Sequence, residues 1–240
     1  MFILDGLRLT FLQTFNIFDF RLLRFSVIFW FMNKKYININ KINNSLKEIN
    51  NLSRKDKKER ILYWIFLDSD RIKDYKKFIS SMPASKKIGI VMRVKSNKGI
   101  YLKSKILLKL CKRKKFTFLI SSNLKIAKAI GADGVHYPKN FIACRKDKAF
   151  FTSCSCHGYN DYRRVKNLNV NLVFISPLYK TKSSDKKKPL GLTKISLLAN
   201  YIKYKYSILG GVRKKNLKNL KNRGFTSVAG LDYILDTLND

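Results

Sequence analysis

The sequence predicts an α/β protein built on a (β/α)₈ TIM barrel with a polar N-terminal extension. From Ile61 onward, short runs of β-branched and aromatic residues alternate with lysine-rich amphipathic stretches, and eight such runs can be counted. Alternating strands and helices are typical of a parallel sheet with right-handed crossovers. A doubly wound open sheet is the main alternative, but no G-x-G-x-x-G follows the first run to favour it.

The predicted strands are short, and helical patterns separate most of them. One such pattern places Leu107, Leu108 and Cys111 at three-to-four spacing. The repeating units occupy about 180 residues, against about 250 for a typical barrel, so the sequence predicts a compact one. The predicted strands are Ile61–Leu67, Ile88–Val94, Phe116–Ile120, Gly134–Tyr137, Phe150–Cys154, Leu172–Ser176, Tyr206–Leu209 and Ser227–Ala229.

Residues 1–59 are predicted to form the extension and residues 60–240 the barrel, with one helix over Lys41–Asn51 inside the extension. The apolar run from Phe25 to Met32 is too short to span a membrane, which takes about 20 residues. It also lacks the small-residue cleavage site of a signal peptide. We hypothesise that translation starts at Met32 and that residues 1–31 are a wrongly assigned extension; the alternative is an amphipathic anchor on a membrane surface.

The net charge is +36, from 51 Lys and Arg against 15 Asp and Glu. Such a charge fits a polyanion partner, but lysines spread along an Asn-, Ile- and Phe-rich chain also fit the codon bias of an AT-rich genome. No nucleic-acid-binding motif is present, so we expect no specific nucleic-acid partner. Because the apolar run described above is short, we also expect no membrane span. The sequence leaves open whether the protein forms a homo-oligomer. Polyanion binding is therefore a third functional class, beside the enzyme and the non-catalytic ligand-binding barrel considered below.

The four cysteines, Cys111, Cys144, Cys154 and Cys156, form no CxxC pair, which predicts reduced thiols and a cytoplasmic protein. Cys154, Cys156 and His157 resemble a metal cluster. A strand would place the two thiols on one face and the imidazole on the other, so the sequence predicts no metal site there.

In a (β/α)₈ barrel, chemistry takes place at the C-terminal ends of the strands. The chain has two histidines, and both lie at the ends of predicted strands. Gly210 and Gly211 follow strand seven, where a glycine backbone and a helix starting near Lys214 could hold a phosphate. A plain tight turn is the alternative. The other candidates at strand ends are Asp68, Asp70, Arg93, Lys95, Ser121, Ser122, His136, Ser155, His157, Thr181 and Ser183.

Six stretches in this order resemble the family of thiamine phosphate synthase and its relative TenI, the thiazole tautomerase, over about Leu62 to Ile234. They are Arg93-Val-Lys95, Gly131-Ala-Asp-Gly-Val-His136, Ser155-Cys-His157, Phe174-Ile-Ser-Pro-Leu-Tyr-Lys-Thr181, Leu190-Gly191, and Gly210-Gly-Val212 with Asn216. The family fold is a (β/α)₈ barrel. The synthase joins a pyrimidine diphosphate to a thiazole phosphate with magnesium and releases pyrophosphate.

The resemblance assigns a role to each matching residue. Arg93 and Lys95 are expected to hold the diphosphate, and Ser155 to contact the pyrophosphate. Thr181 and Ser183 are expected near the thiazole phosphate, with a backbone N–H from Gly211; Ser121 and Gly210 complete the predicted phosphate-binding set. In the TenI branch, the histidine that matches His157 takes part in proton transfer, for which an imidazole is suited near neutral pH.

Several positions depart from the synthase pattern. The Asn-Asp after strand three is Ser121-Ser122 here, and Lys139-Asn140-Phe141 replaces the metal-binding Asp after strand four. Magnesium favours carboxylate oxygens, so a synthase that needs Mg²⁺ is disfavoured. Asp232 stands where the family has a serine near the phosphate, and we expect it to repel phosphate unless it caps the helix and points away. We therefore expect TenI-like proton transfer by His157 with no required cofactor; the alternatives are the synthase reaction with Mg²⁺ and a catalytically degraded barrel that binds a phosphorylated thiazole or pyrimidine.

Overall fold

The structure, a computed structural model, describes residues 39–53, 61–67, 69–93, 99–141, 150–181 and 188–239. The chain divides into two units, Met1–Asn40 and Lys41–Asp240, and the barrel lies in the second. The hypothesis about Met32 and the apolar run before it lie outside the described residues. In the described part of the chain, no helix is both long and apolar enough to cross a membrane.

Eight parallel strands form a closed barrel in chain order, which confirms the predicted fold class. Each strand pairs with the next, and β1 closes the ring by pairing with β8 through Tyr63–Val228 and Trp64–Ala229. The strands are β1 (Tyr63–Leu67), β2 (Ile88–Met92), β3 (Thr117–Ser121), β4 (Gly134–Tyr137), β5 (Phe151–Cys156), β6 (Leu172–Ile175), β7 (Tyr206–Leu209) and β8 (Ser227–Ala229).

Helices connect the strands on the outside of the barrel. Residues 39–52, labelled α1, are helical and include the predicted helix Lys41–Asn51. The stretch after Gly210-Gly211 forms a 3₁₀ helix over Lys214–Leu220. The other helices are α2 (Tyr75–Ser81), α3 (Ile100–Arg113), α4 (Leu124–Ile130), α5 (Tyr162–Leu168), α6 (Gly191–Ile202) and α7 (Asp232–Asn239), with a short 3₁₀ helix over Tyr159–Asp161.

The side chains inside the barrel form a core separate from the one under the helices. Trp64, Phe66 and Phe174 fill most of the inner core, together with Val91, Leu119, Leu172 and Ala229. Gly89 on the neighbouring strand makes room for the indole, because a Cβ there would lie 2.3 Å from Trp64 Cε3. Towards the C-terminal ends of the strands, inward-facing side chains become polar. The floor of the site lies at this change from apolar to polar side chains.

Helix α1 packs on the outer core although it precedes the barrel in sequence. Ile42, Leu46 and Ile49 follow helical spacing and are almost fully buried. Ser45 Oγ lies 3.4 Å from Thr237 Oγ1 of α7. Burying a side chain of this size contributes about 1.5–3 kcal/mol, so the three apolar contacts attach α1 firmly to the barrel.

Two predicted strand ends differ from the structure in ways that affect the site. Strand two ends at Met92, so Arg93 lies one residue beyond it, and Lys95 is outside the described residues. Strand five continues to Cys156 because Ser155 and Cys156 pair with Phe174 and Ile175. His157 is therefore the first residue past β5.

Candidate active site

A cavity of about 550 Å³ opens at the C-terminal ends of the strands. Most of the predicted site residues within the described ranges line it: Arg93, Ser121, Ser122, His136, Ser155, His157, Thr181, Gly210 and Gly211. Asp70, the other described candidate, is not among the lining residues. Lys95 and Ser183 lie outside the described residues, as does Asp68. The lining also includes residues that sequence reasoning did not select, among them Arg71, Lys139 and Ser176.

His136 lies at the floor of the cavity, on β4, with its ring pointing into the barrel. Its Nδ1 lies 3.1 Å from Ser153 Oγ and its Nε2 lies 3.0 Å from Ser155 Oγ. The rings of Phe66 and Phe174 contact it edge-on at centroid distances of 5.2 and 5.4 Å. Burial lowers the pKa of His136 to about 3, and the cationic Arg93 and Arg164 act in the same direction. The imidazole therefore stays neutral at ordinary pH.

His157 occupies a different environment at the wall of the cavity and is only partly buried. Its Nδ1 lies 2.8 Å from the carbonyl oxygen of Ser176, so Nδ1–H donates to that oxygen. Its backbone N–H donates to Asp161 Oδ2 at 2.6 Å. In a neutral imidazole that donates from Nδ1, the lone pair that accepts a proton is on Nε2. Both contacts fix the orientation of this ring.

Arg164 and Asp161 support the site from beneath β5, and sequence reasoning missed both. Arg164 Nη2 donates to the carbonyl oxygen of Ser155, and Nη1 donates to that of Pro138 at 3.4 Å. Asp161, which holds the His157 backbone, lies 4.0 Å from the same guanidinium. One buried cation therefore ties together the ends of β4 and β5. Nothing in the local sequence signals this role, because the two carbonyls belong to segments apart from Arg164 in sequence.

Gly210 and Gly211 have positive φ angles of 100° and 69°. A Cβ on Gly210 would lie 2.9 Å from Pro177, and one on Gly211 would lie 2.7 Å from Tyr179 Cβ. The carbonyl oxygen of Gly210 accepts from the Tyr179 N–H at 3.0 Å. The space that a side chain would fill is therefore taken by the segment after β6, which explains why both residues are glycine. The helix that follows is 3₁₀, where the sequence analysis expected an ordinary helix near Lys214.

Asp232 begins α7 at the rim of the cavity and is held by arginines from two other loops. Arg71 Nη2, after β1, lies 2.6 Å from Asp232 Oδ1. Arg213, after β7, lies 4.0 Å from the same oxygen and 3.7 Å from Asp236. This carboxylate is therefore neutralised, although its position beside the predicted phosphate site suggested repulsion of the ligand.

The positions expected to hold magnesium offer few suitable ligands. Ser121 and Ser122 supply hydroxyls, 3.4 Å apart, after β3, and Lys139 and Asn140 supply a cation and an amide after β4. Magnesium favours carboxylate oxygens in an octahedral arrangement. Among the described residues, no group of three or more His, Cys, Asp or Glu side chains could hold a metal ion. The described residues at these positions do not fit the ion.

The cysteine cluster belongs to the outer core. Cys154 and Cys156 are fully buried there, while His157 faces the cavity. Burial raises the pKa of Cys154 to about 12 and that of Cys156 to about 11. Both thiols therefore stay protonated, and protonated thiols are poor metal ligands.

Residues 64–234 match the family model described as thiamine monophosphate synthase. The chain belongs to this family. The resemblance found in the six sequence stretches is thereby confirmed, and a place in thiamine biosynthesis follows from it.

Curated relatives agree with the family match. A thiamine-phosphate synthase of Prochlorococcus marinus (strain AS9601) is 28% identical over 133 residues, which cover 53% of this chain and 38% of the relative. A thiamine-phosphate synthase of Fusobacterium nucleatum subsp. nucleatum (strain ATCC 25586) is 26% identical over 145 residues, which cover 58% of this chain and 70% of the relative. The chain thus spans under two-fifths of the Prochlorococcus protein.

A solved structure shows the same fold. The thiamine phosphate pyrophosphorylase from Pyrococcus furiosus aligns with a TM-score of 0.59 at 18% identity, covering 79% of this chain and 94% of that one. At this identity the likeness establishes the barrel, and the chemistry has to be argued from the cavity itself.

Proposed function

We propose that the cavity binds a thiazole phosphate and that His157 transfers the proton in its tautomerisation. The observation that carries the proposal is the bond from His157 Nδ1 to the Ser176 carbonyl oxygen at 2.8 Å. With the proton on Nδ1, the lone pair that takes up and returns a proton is on Nε2. Tautomerisation removes one proton from the ring system and adds one elsewhere, so a single positioned base can serve both steps.

The contrast between the two histidines supports this choice. His136 contacts Ser153 and Ser155 through both ring nitrogens, and its pKa of about 3 makes it a very weak base. Only two histidines occur in the chain, so a histidine base in this cavity must be His157. Asp161 accepts from the His157 backbone N–H, which holds this residue at the end of β5.

Cationic and hydroxyl groups around the same cavity suit a phosphorylated ligand. Arg93 lies at one side with its guanidinium 5.1 Å from the Phe66 ring centroid, and Lys139 lies on the loop after β4. Thr181 follows the β6 loop that packs on Gly210 and Gly211. We assign the phosphate to the side of Thr181, Gly210 and Gly211, because the loops after strands seven and eight often bind one.

The synthase reaction is the second candidate, because relatives that match this chain are named thiamine-phosphate synthases. It joins two phosphorylated substrates and would need the diphosphate charge to be neutralised. Arg93 is suited to that task through its planar guanidinium. The missing magnesium ligands argue against the synthase reaction, so we favour proton transfer over it.

The test uses the purified full chain with the thiazole phosphate tautomer, and product is measured by NMR. We expect turnover without added metal, and its loss in His157→Ala. Undiminished turnover in His157→Ala would overturn the assignment.

The competing functions have their own readouts. Formation of thiamine phosphate from the pyrimidine diphosphate, dependent on added Mg²⁺, would favour the synthase. Binding of thiazole phosphate without either reaction would identify a degraded, ligand-binding barrel. All assays use the same preparation of protein. The thermal unfolding curve of that preparation shows whether the protein is folded.

A further inference from the structure

The cavity rim between β8 and β1 carries an internal ion pair at the place where a ligand's phosphate is expected. Arg71 and Asp232 belong to different loops, and Nη2 of the arginine lies 2.6 Å from Oδ1 of the carboxylate. Both residues line the cavity, with side chains that are 23% and 12% exposed. The pair is therefore largely desolvated and lies at the wall of the cavity.

Space for an incoming anion lies beside this pair. Gly230, which directly follows β8 and also lines the cavity, would have no atom within 4 Å of an added Cβ. Arg213 approaches the same carboxylate to 4.0 Å from the β7 side. Two guanidinium groups thus face one carboxylate next to an open stretch of backbone.

A carboxylate and a phosphate compete for the same donors on arginine, because both accept charge-assisted hydrogen bonds in the same planar geometry. We propose that Asp232 is a built-in competitor for the ligand's phosphate on Arg71. On binding, Arg71 exchanges the carboxylate for a phosphate oxygen. The inference rests on the proposed function only in placing a phosphate in this cavity.

The exchange selects among ligands. A phosphate monoester offers two negative charges and three oxygens, so it can outcompete the single carboxylate. A carboxylate ligand brings the same group that Asp232 already provides and gains little by the exchange. Asp232 therefore lowers the affinity for all anions, and it excludes carboxylates more strongly than phosphate monoesters.

The test is calorimetric titration of inorganic phosphate into the full chain, comparing Asp232→Asn with Asp236→Asn. Asp236 is the matched control because it also contacts Arg213, at 3.7 Å, and its loss changes the net charge equally. We expect Asp232→Asn to bind phosphate about tenfold more tightly, the size of one charge-assisted hydrogen bond, and Asp236→Asn to match the wild type. Equal affinity in the two variants, or weaker binding in Asp232→Asn, would overturn the proposal.

Arg71→Gln provides a second measurement in case Asp232→Asn does not fold. It removes the donor and keeps the carboxylate, so phosphate affinity should fall about tenfold. Unchanged affinity in this variant would also refute the exchange. Because these titrations need no turnover, a failed tautomerase assay with the expected phosphate affinities would reject the proposed function and leave this inference standing.

Discussion

Acid should destabilise this protein through one buried side chain, His136. Its pKa of about 3 in the folded state lies below the value of about 6.5 in an unfolded chain. Between these two values the unfolded state binds a proton that the folded state does not, so stability falls as the pH decreases. From pH 7 to pH 5 the linkage amounts to about 2 kcal/mol for this group alone.

The measurement is urea unfolding at pH 7 and pH 5 for the wild type and for His136→Gln, whose amide does not titrate. The wild type should lose about 2 kcal/mol more than the variant over this interval. Carboxylates and the high net charge contribute equally to both proteins and cancel in the difference. If both lose the same free energy of unfolding, the imidazole is not held neutral and the account of the cavity floor is wrong.

Two further predictions concern the walls of the cavity. Gly211→Ala should cost about 2–4 kcal/mol in thermal or chemical unfolding, since it combines positive φ with contact against Tyr179. Gly131→Ala is the control, because Gly131 has the same φ of 69° but no atom lies within 4 Å of an added Cβ. This variant should cost about 1–2 kcal/mol in stability, and equal losses in the two variants would contradict the packing argument. Arg164→Lys should lower stability by about 1–3 kcal/mol and raise KM for the thiazole phosphate, because the single nitrogen of lysine cannot occupy both positions from which Nη1 and Nη2 contact the Pro138 and Ser155 carbonyls. The exposed neighbour Arg163→Lys should change neither, and the reasoning fails if the two variants behave alike.

The strands could be predicted from the sequence because strands in a closed parallel barrel are covered on both faces. Such strands are nearly continuous apolar runs, and Ile88–Met92 and Leu172–Ile175 stand out from the lysine-rich helices around them. The end of β5 was placed too early, at Cys154. The polar Ser155 interrupts the apolar run, and the pairing of Ser155 and Cys156 with β6 decides the boundary.

The site was predictable where a residue type and a strand end coincide, as for His157 and the glycine pair. It was not predictable where the function of a residue depends on a distant partner. The Arg71–Asp232 pair joins positions 161 residues apart, and the sequence alone suggested that Asp232 would repel phosphate. The packing role of Gly210 and Gly211 was likewise invisible, because it depends on the path of Pro177 to Lys180.

The closure of the ring between β1 and β8 has a consequence for biosynthesis. β8 has three residues and is the last strand in chain order, and it completes the barrel by pairing with the first. On a ribosome, the seven earlier strands emerge while both outer edges of the sheet are unpaired. Folding to the native state must therefore wait until the chain beyond β7 has left the exit tunnel, and both sheet edges stay open to pairing with other chains during that interval.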